Sequence, residues 1–143
     1  MRNPQLMIAK LIDKQRVAFI ASVDANGIPN MKAMLPPRRR EGIRVFYFST
    51  NTSSERVAQY RANPKASIYF YSKCLWSYRG VMLKGTMDVL EDAESKQMLW
   101  KRGDTIYYPG GVTDPDYCVL RFTATAGRYY ANFKSESFYV EGT

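Results

Sequence analysis

Apolar residues along this chain repeat at two periods, one helical and one strand-like. Leu6, Met7, Leu11 and Ile12 recur at helical spacing behind Asn3 and Pro4, which suit an N-cap and a first helical position. A short amphipathic helix is expected to about residue 15. The run "VAFIASV" (17–23) is apolar on both alternations, as a strand covered on both faces would be. "DANG" (24–27) is a hairpin turn signal, and "IPNMKAML" (28–35) reads as the returning strand, with Pro29 near its start. "PPRRREG" (36–42) breaks the alternation and is expected to be an exposed loop; "IRVFYFST" (43–50) resumes it as a third strand. A helix to about residue 62 follows, closed by Asn63 and Pro64. "KASIYFY" (65–71) and "RGVMLKGTMDVL" (79–90) read as strands, and Gly85 in the second marks a bulge or a close backbone approach. "EDAESKQMLWKRG" (91–103) is a helix with acids first, bases last and Gly103 as C-cap. An ordered loop, "DTIYYPGGVTDPD" (104–116), precedes two final strands, "YCVLRFTAT" (117–125) and "RYYANF" (128–133). The pattern sums to about seven strands and three short helices with short, mostly antiparallel connections. The expected class is mainly β with short helices (α+β): a small antiparallel barrel forming a single domain over residues 1–143.

Composition narrows the chemistry. At 143 residues the chain can bury a core without disulfide staples. No apolar run reaches membrane-spanning length and the N-terminus lacks a signal-peptide pattern, so no membrane partner is expected and the cytoplasm is the expected compartment. Cys74 and Cys118 stand far apart with no CxxC spacing; both are expected to be buried free thiols, and no metal site is expected. Histidine is absent, which removes the commonest general base, the usual triads and most zinc and haem ligation. An enzyme built this way draws its reactive atom from a cofactor, and no catalytic residue is assigned, because no titratable pair is poised. The formal net charge of +8 favours anionic partners: nucleic acid, acidic lipid or phosphorylated small molecules. With 14% aromatic residues, a basic barrel binding single-stranded nucleic acid is one reading. Arg38, Arg39 and Arg40 do not advance it, since they sit beside two prolines without an aromatic among them and suit a solvated loop.

One junction concentrates polar side chains. "FSTNTSSERVAQ" (48–59) places Ser49, Thr50, Asn51, Thr52, Ser53 and Ser54 in a row at a strand-to-helix boundary, followed by Glu55 and Arg56. Thr52 as N-cap and Glu55 three residues on would complete a capping box. The alternative is an anion site: a helix N-terminus supplies unpaired N–H groups, the hydroxyls add donors, and Arg56 adds a planar fork suited to phosphate. Glu55 opposes that reading unless it points away.

The order of elements resembles the pyridoxamine-phosphate-oxidase-like, FMN-binding split-barrel superfamily, and its general-stress-protein-like branch in particular. The resemblance runs through "VAFIASVDANGIPNMKAML", "FYFSTNTSSERVAQYRANPKASIYFY", "GVMLKGTMDVLED" and "LWKRGDTIYYPGGVTDPDYCVLRF". It implies FMN as cofactor and a homodimer with flavin at its interface. It puts Ser54 and Arg56 at phosphate positions within the row that includes Asn51 and Ser53, and Ser49 and Thr50 along the ribityl and ring edge. It puts Lys32, Ala33 and Met34 on the strand that meets the isoalloxazine. Glu55 stands where the family often has a second basic residue. Tyr108, in "TIYYPGG", is the residue expected to close the pocket from the partner chain. The implied activity is that of a flavin oxidoreductase acting on a small-molecule redox substrate; a flavin sensor, store or stress module without turnover is the alternative. The chain ends in "KSESFYVEGT" without the basic, aromatic segment of the vitamin-oxidising members, so pyridoxamine phosphate is not the expected substrate. A deazaflavin or a haem in place of FMN stays open at this stage.

Overall fold

The computed structural model describes residues 4–73 and 75–142; the expected N-cap Asn3 and the expected buried thiol Cys74 lie outside them. Among the described residues there are three helices: α1 (Pro4–Asp13), α2 (Glu55–Ala62) and α3 (Ala93–Leu99). Eight strands accompany them: β1 (Ala18–Val23), β2 (Pro29–Met34), β3 (Arg39–Glu41), β4 (Val45–Asn51), β5 (Lys65–Lys73), β6 (Tyr78–Leu90), β7 (Tyr117–Ala131) and β8 (Lys134–Tyr139). They form one sheet in the order β2-β1-β5-β6-β7-β4-β3, with β8 added to β7. Every pairing is antiparallel. This is the expected antiparallel split barrel. Its two edge strands, β2 and β3, are consecutive in the chain, so residues 35–38 bridge the open seam between them.

Alternation decides which face is buried. In β1 the inward residues Ala18, Ile20 and Ser22 are buried, as are Ala66, Ile68 and Phe70 in β5. Phe46, Phe48, Leu83 and Phe122 complete the centre, and Ile8 and Ile12 of α1 pack against it. At roughly 25 cal/mol per Å² of apolar surface removed from water, this shared core is the main stabilising term. Gly85 is both a bulge and a close approach: the β6–β7 register shifts between Lys84 and Gly85, and a side chain there would strike the Thr123 carbonyl.

Four expectations about elements are corrected. Residues 36–42 are not an exposed loop: Arg39–Glu41 pairs with β4, while Arg38 and Arg40 turn toward Asp104 and Asp13. Residues 117–133 do not hold two strands but one of 15 residues, continuous because Ala126 and Gly127 keep their pairing with β6. That strand then turns at Asn132 and Phe133, both with φ above 50°, into β8, a strand absent from the sequence reading. The segment was hard to read because the turn carries Phe where a glycine would announce it. Gly103 does not cap α3, which ends at Leu99 with Trp100 as its cap; Gly103, at φ 98°, opens a separate 3-10 turn. Finally, the Thr52–Glu55 capping box is absent, and Ser54 occupies the N-cap of α2.

Candidate functional site

The seam opens into a cleft of about 170 Å³, bounded by Met34, Leu35, Pro36 and Arg38 on one side and Ser49, Thr50, Asn51 and Arg56 on another, with Tyr107 and Tyr108 at its end. Register explains the convergence. The inward face of β4 carries Phe46, Phe48 and Thr50, so the strand runs from core into cleft, and α2 starts four residues past its end. The Arg56 guanidinium donates to Thr50 Oγ1 at 3.0 Å, which aims it along the strand end.

The polar atoms of this junction are unusual in being buried without partners. Among the described residues, the buried side-chain polar atoms lacking a hydrogen bond are Ser49 Oγ, Thr52 Oγ1, Ser54 Oγ and Arg56 Nε, all within eight consecutive positions. Ser49 Oγ does sit beside the Tyr117 hydroxyl, and Thr52 Oγ1 beside the Cys118 thiol, without a well-formed bond in either case. Ser54 Oγ and Arg56 Nε have no such neighbour. A buried donor left unpaired costs about 1–3 kcal/mol, so two together at a helix start mark a place shaped for an acceptor from outside the chain. Two larger hollows lack this signature: a groove of about 380 Å³ on the outer face beside Lys65 and Lys84, and a trench of about 570 Å³ beside α1.

The backbone donors of the 52–54 turn are, by contrast, already taken. Thr52 N–H donates to the Asp116 carbonyl at 2.8 Å, Ser53 N–H to Asp116 Oδ1 at 2.8 Å, and Ser54 N–H to the Asn51 carbonyl at 3.1 Å. Asn51 Nδ2 donates to Asp116 Oδ2 at 2.9 Å. These bonds, the one from Asn51 foremost, hold the Asp116 carboxyl below its usual range. An anion at this junction therefore meets side chains and the first N–H groups of α2, those of Glu55 and Arg56, rather than a fan that extends through residues 52–54.

Two charged residues outside the expected set build the opposite wall. The Arg38 guanidinium pairs with both carboxylate oxygens of Asp104 and donates to the Leu99 carbonyl at 3.0 Å. Asp104 also accepts from Lys101 N–H, and the Arg38 pairing holds its carboxyl below the usual range. Behind this pair Tyr108, only 4% exposed, packs on Tyr117 and Trp100. Burial pushes the Tyr108 phenol up to about 12, so it is neutral at pH 7.

The cleft thus collects Met34, Ser49, Thr50, Asn51, Arg56 and Tyr108 from the expected residues. Ser54 Oγ lies buried at the adjoining helix cap, and Ser53 spends its N–H on Asp116. Lys32 and Ala33 are exposed on the edge strand and do not line it. Tyr108 is buried within its own chain at the end of the cleft, while the neighbouring Tyr107 is 58% exposed. Arg38, Asp104 and Asp116 were missed. The only sequence signal for the last was the turn-rich "TDPD", which fixes no partner.

A family profile described as pyridoxamine 5'-phosphate oxidase matches residues 7–131. The chain belongs to the pyridoxamine 5'-phosphate oxidase family. A pyridoxine/pyridoxamine 5'-phosphate oxidase of Caulobacter vibrioides is 34% identical over 76 residues, which is 53% of this chain and 32% of that protein. One from Agrobacterium fabrum is 32% identical over 89 residues, 61% of this chain and 40% of that protein. The chain therefore spans well under half the length of these curated relatives. Among solved structures, a Clostridium acetobutylicum protein related to general stress protein 26 of B. subtilis shares 38% identity with a TM-score of 0.83, covering 95% of this chain and 94% of that one. A heme binding protein from Mycobacterium smegmatis shares the fold at 16% identity and a TM-score of 0.77, covering 97% of this chain and 59% of its own. The split-barrel fold and the relation to general stress protein 26 follow from these likenesses.

Proposed function

We propose that the cleft holds the phosphate–ribityl end of FMN and that the chain is a homodimeric flavoprotein, a flavin-dependent oxidoreductase acting on a small-molecule redox substrate. The observation that carries the reading is the pair of buried, unpartnered donors at the start of α2, Ser54 Oγ and Arg56 Nε. A phosphate supplies the acceptors they lack, and Arg56 brings the charge. Ser49 and Thr50 flank the ribityl path, and Met34 and Leu35 give an apolar wall toward the ring. Bound flavin supplies the electron-accepting centre. The protein's own contribution is to fix the phosphate and to hold the buried Tyr108 ring at the end of the cleft.

A cleft of about 170 Å³ is small against the roughly 300–1,000 Å³ of ligand pockets in general, so one chain encloses only part of a flavin. The outer sheet face supports a second copy as the remaining wall. Phe19 faces Tyr69 across β1 and β5, Tyr69 faces Met82, and Tyr78 stacks on Tyr130 at 4.7 Å, making an apolar, aromatic surface across four strands. Such a surface on one chain suits an interface. A haem is less well served, because the chain has no histidine to bind iron.

The test is light scattering of the purified protein with its visible absorbance read on the same stream. The expected result is a dimer mass carrying flavin absorbance, with FMN released on heating. A monomer that keeps its flavin on dilution would refute the shared site; a protein that stays colourless after incubation with excess FMN would refute flavin binding.

A further inference from the structure

We propose that Asp116 is a positioning residue for the anion cradle: its side chain shapes the 51–54 turn and diverts the turn's backbone donors, so that Ser54 and Arg56 are left to face the ligand. One carboxylate bonds two residues of the turn, taking Asn51 Nδ2 at 2.9 Å and Ser53 N–H at 2.8 Å, while the Asp116 carbonyl takes the Thr52 N–H between them. With Ser54 N–H folded back on Asn51, no N–H from 52 to 54 is available to a ligand. The turn cannot then relax into an N–H nest, and α2 starts at a fixed point with Arg56, its second residue, lining the cleft. Its effect on affinity presupposes that the cleft holds FMN.

Asp116 is itself held. Its N–H donates to Asp114 Oδ1 at 2.9 Å, and Asp114 Oδ2 accepts from Gly110 N–H at 2.9 Å. The Asp114 carbonyl accepts from Lys96 Nζ at 3.1 Å and from Tyr117 N–H at 3.0 Å. The chain of contacts therefore runs from α3 through the 110–114 loop to the cradle. A carboxylate placed near an anion site would by charge alone weaken binding, so its presence there calls for a geometric role.

Two variants of the 143-residue chain separate shape from charge. Asp116→Asn keeps an acceptor for Ser53 N–H and, with the Asn51 amide turned over, a bond to Asn51; Asp116→Ala keeps neither. Two readouts are taken: amide hydrogen exchange at Ser53 without flavin, and equilibrium FMN affinity. Asp116→Ala is expected to speed Ser53 exchange at least about tenfold and weaken FMN about tenfold, with Asp116→Asn within about threefold of the parent in both. Tighter FMN binding in both variants would show a purely electrostatic residue, and unchanged Ser53 exchange in Asp116→Ala would remove the clamp; either overturns the proposal. If the parent protein binds no FMN while exchange responds as expected, the flavin reading fails and the clamp on the turn stands.

Discussion

Arg56 differs from the other cations near α2 in having a buried nitrogen with no acceptor. Arg61, five residues on, is exposed and pairs with Glu91 at 2.7 Å, half in solvent. This asymmetry predicts that Arg56→Ala weakens FMN binding by about ten- to a hundredfold, from roughly 1.5–3 kcal/mol of charge-assisted bonding. Arg61→Ala, which breaks an exposed pair, is expected to change affinity less than about twofold. Calorimetric titration of both variants checks this, and equal losses would contradict it. At this scale the sequence was legible where chemistry is local. A row of hydroxyls ending in Arg56 is visible in "STNTSSER", and six of the ten expected residues line one cleft. Arg38 and Asp116 were not legible, because their partners lie 66 and 65 positions away and no local pattern encodes such pairs. The burial of Tyr108 was not legible for the same reason: an aromatic in a glycine-rich loop gives no sign of which face it buries.

Elements were read best where a period was long. β5 and β6 fall where expected, and the Gly85 bulge is a single-residue signal; β1 also falls where expected, but only one of its faces is covered, since Phe19 is exposed between the buried Ala18 and Ile20. Short elements failed. β3 has three residues, beneath any period, and its formation depends on what surrounds it: Arg38 N–H donates to the Tyr47 carbonyl, and the Arg38 side chain is tied to Asp104. That ion pair fastens the seam segment to the 3-10 turn at Asp104, so it sets the width of the cleft. Both side chains are largely buried, at 15% and 6% exposure. Asp104→Asn is expected to destabilise the fold by roughly 1.5–3 kcal/mol near neutral pH. The sign of the pH dependence follows from the depressed Asp104 carboxyl. Its stabilisation is complete above the unfolded-state value of about 3.9 and is lost as pH falls through the lower folded value. The gap between parent and variant in urea denaturation should therefore narrow below about pH 4. A gap that stays constant with pH would show that Asp104 acts by packing alone.

For the molecule as a whole, the split in the barrel and the site are one feature. The sheet stops at β2 and β3, the chain crosses the gap at residues 35–38, and the gap is the cleft. The antiparallel barrel could be foreseen from strand count and short connections; the location of its seam could not, because edge order depends on which strands pair across the fold. The excess of positive charge has a specific consequence at this seam, where Arg38 is neutralised by Asp104 and Arg56 has no carboxylate partner among the described residues. The account therefore rests on Arg56 and Ser54 recognising phosphate rather than on the flavin ring being gripped. The most direct measurement compares FMN with riboflavin, which lacks only the phosphate, in calorimetric titrations of the same apoprotein. FMN should bind at least about a hundredfold more tightly, as expected for one or two charge-assisted bonds. Equal affinity for the two would contradict the central claim.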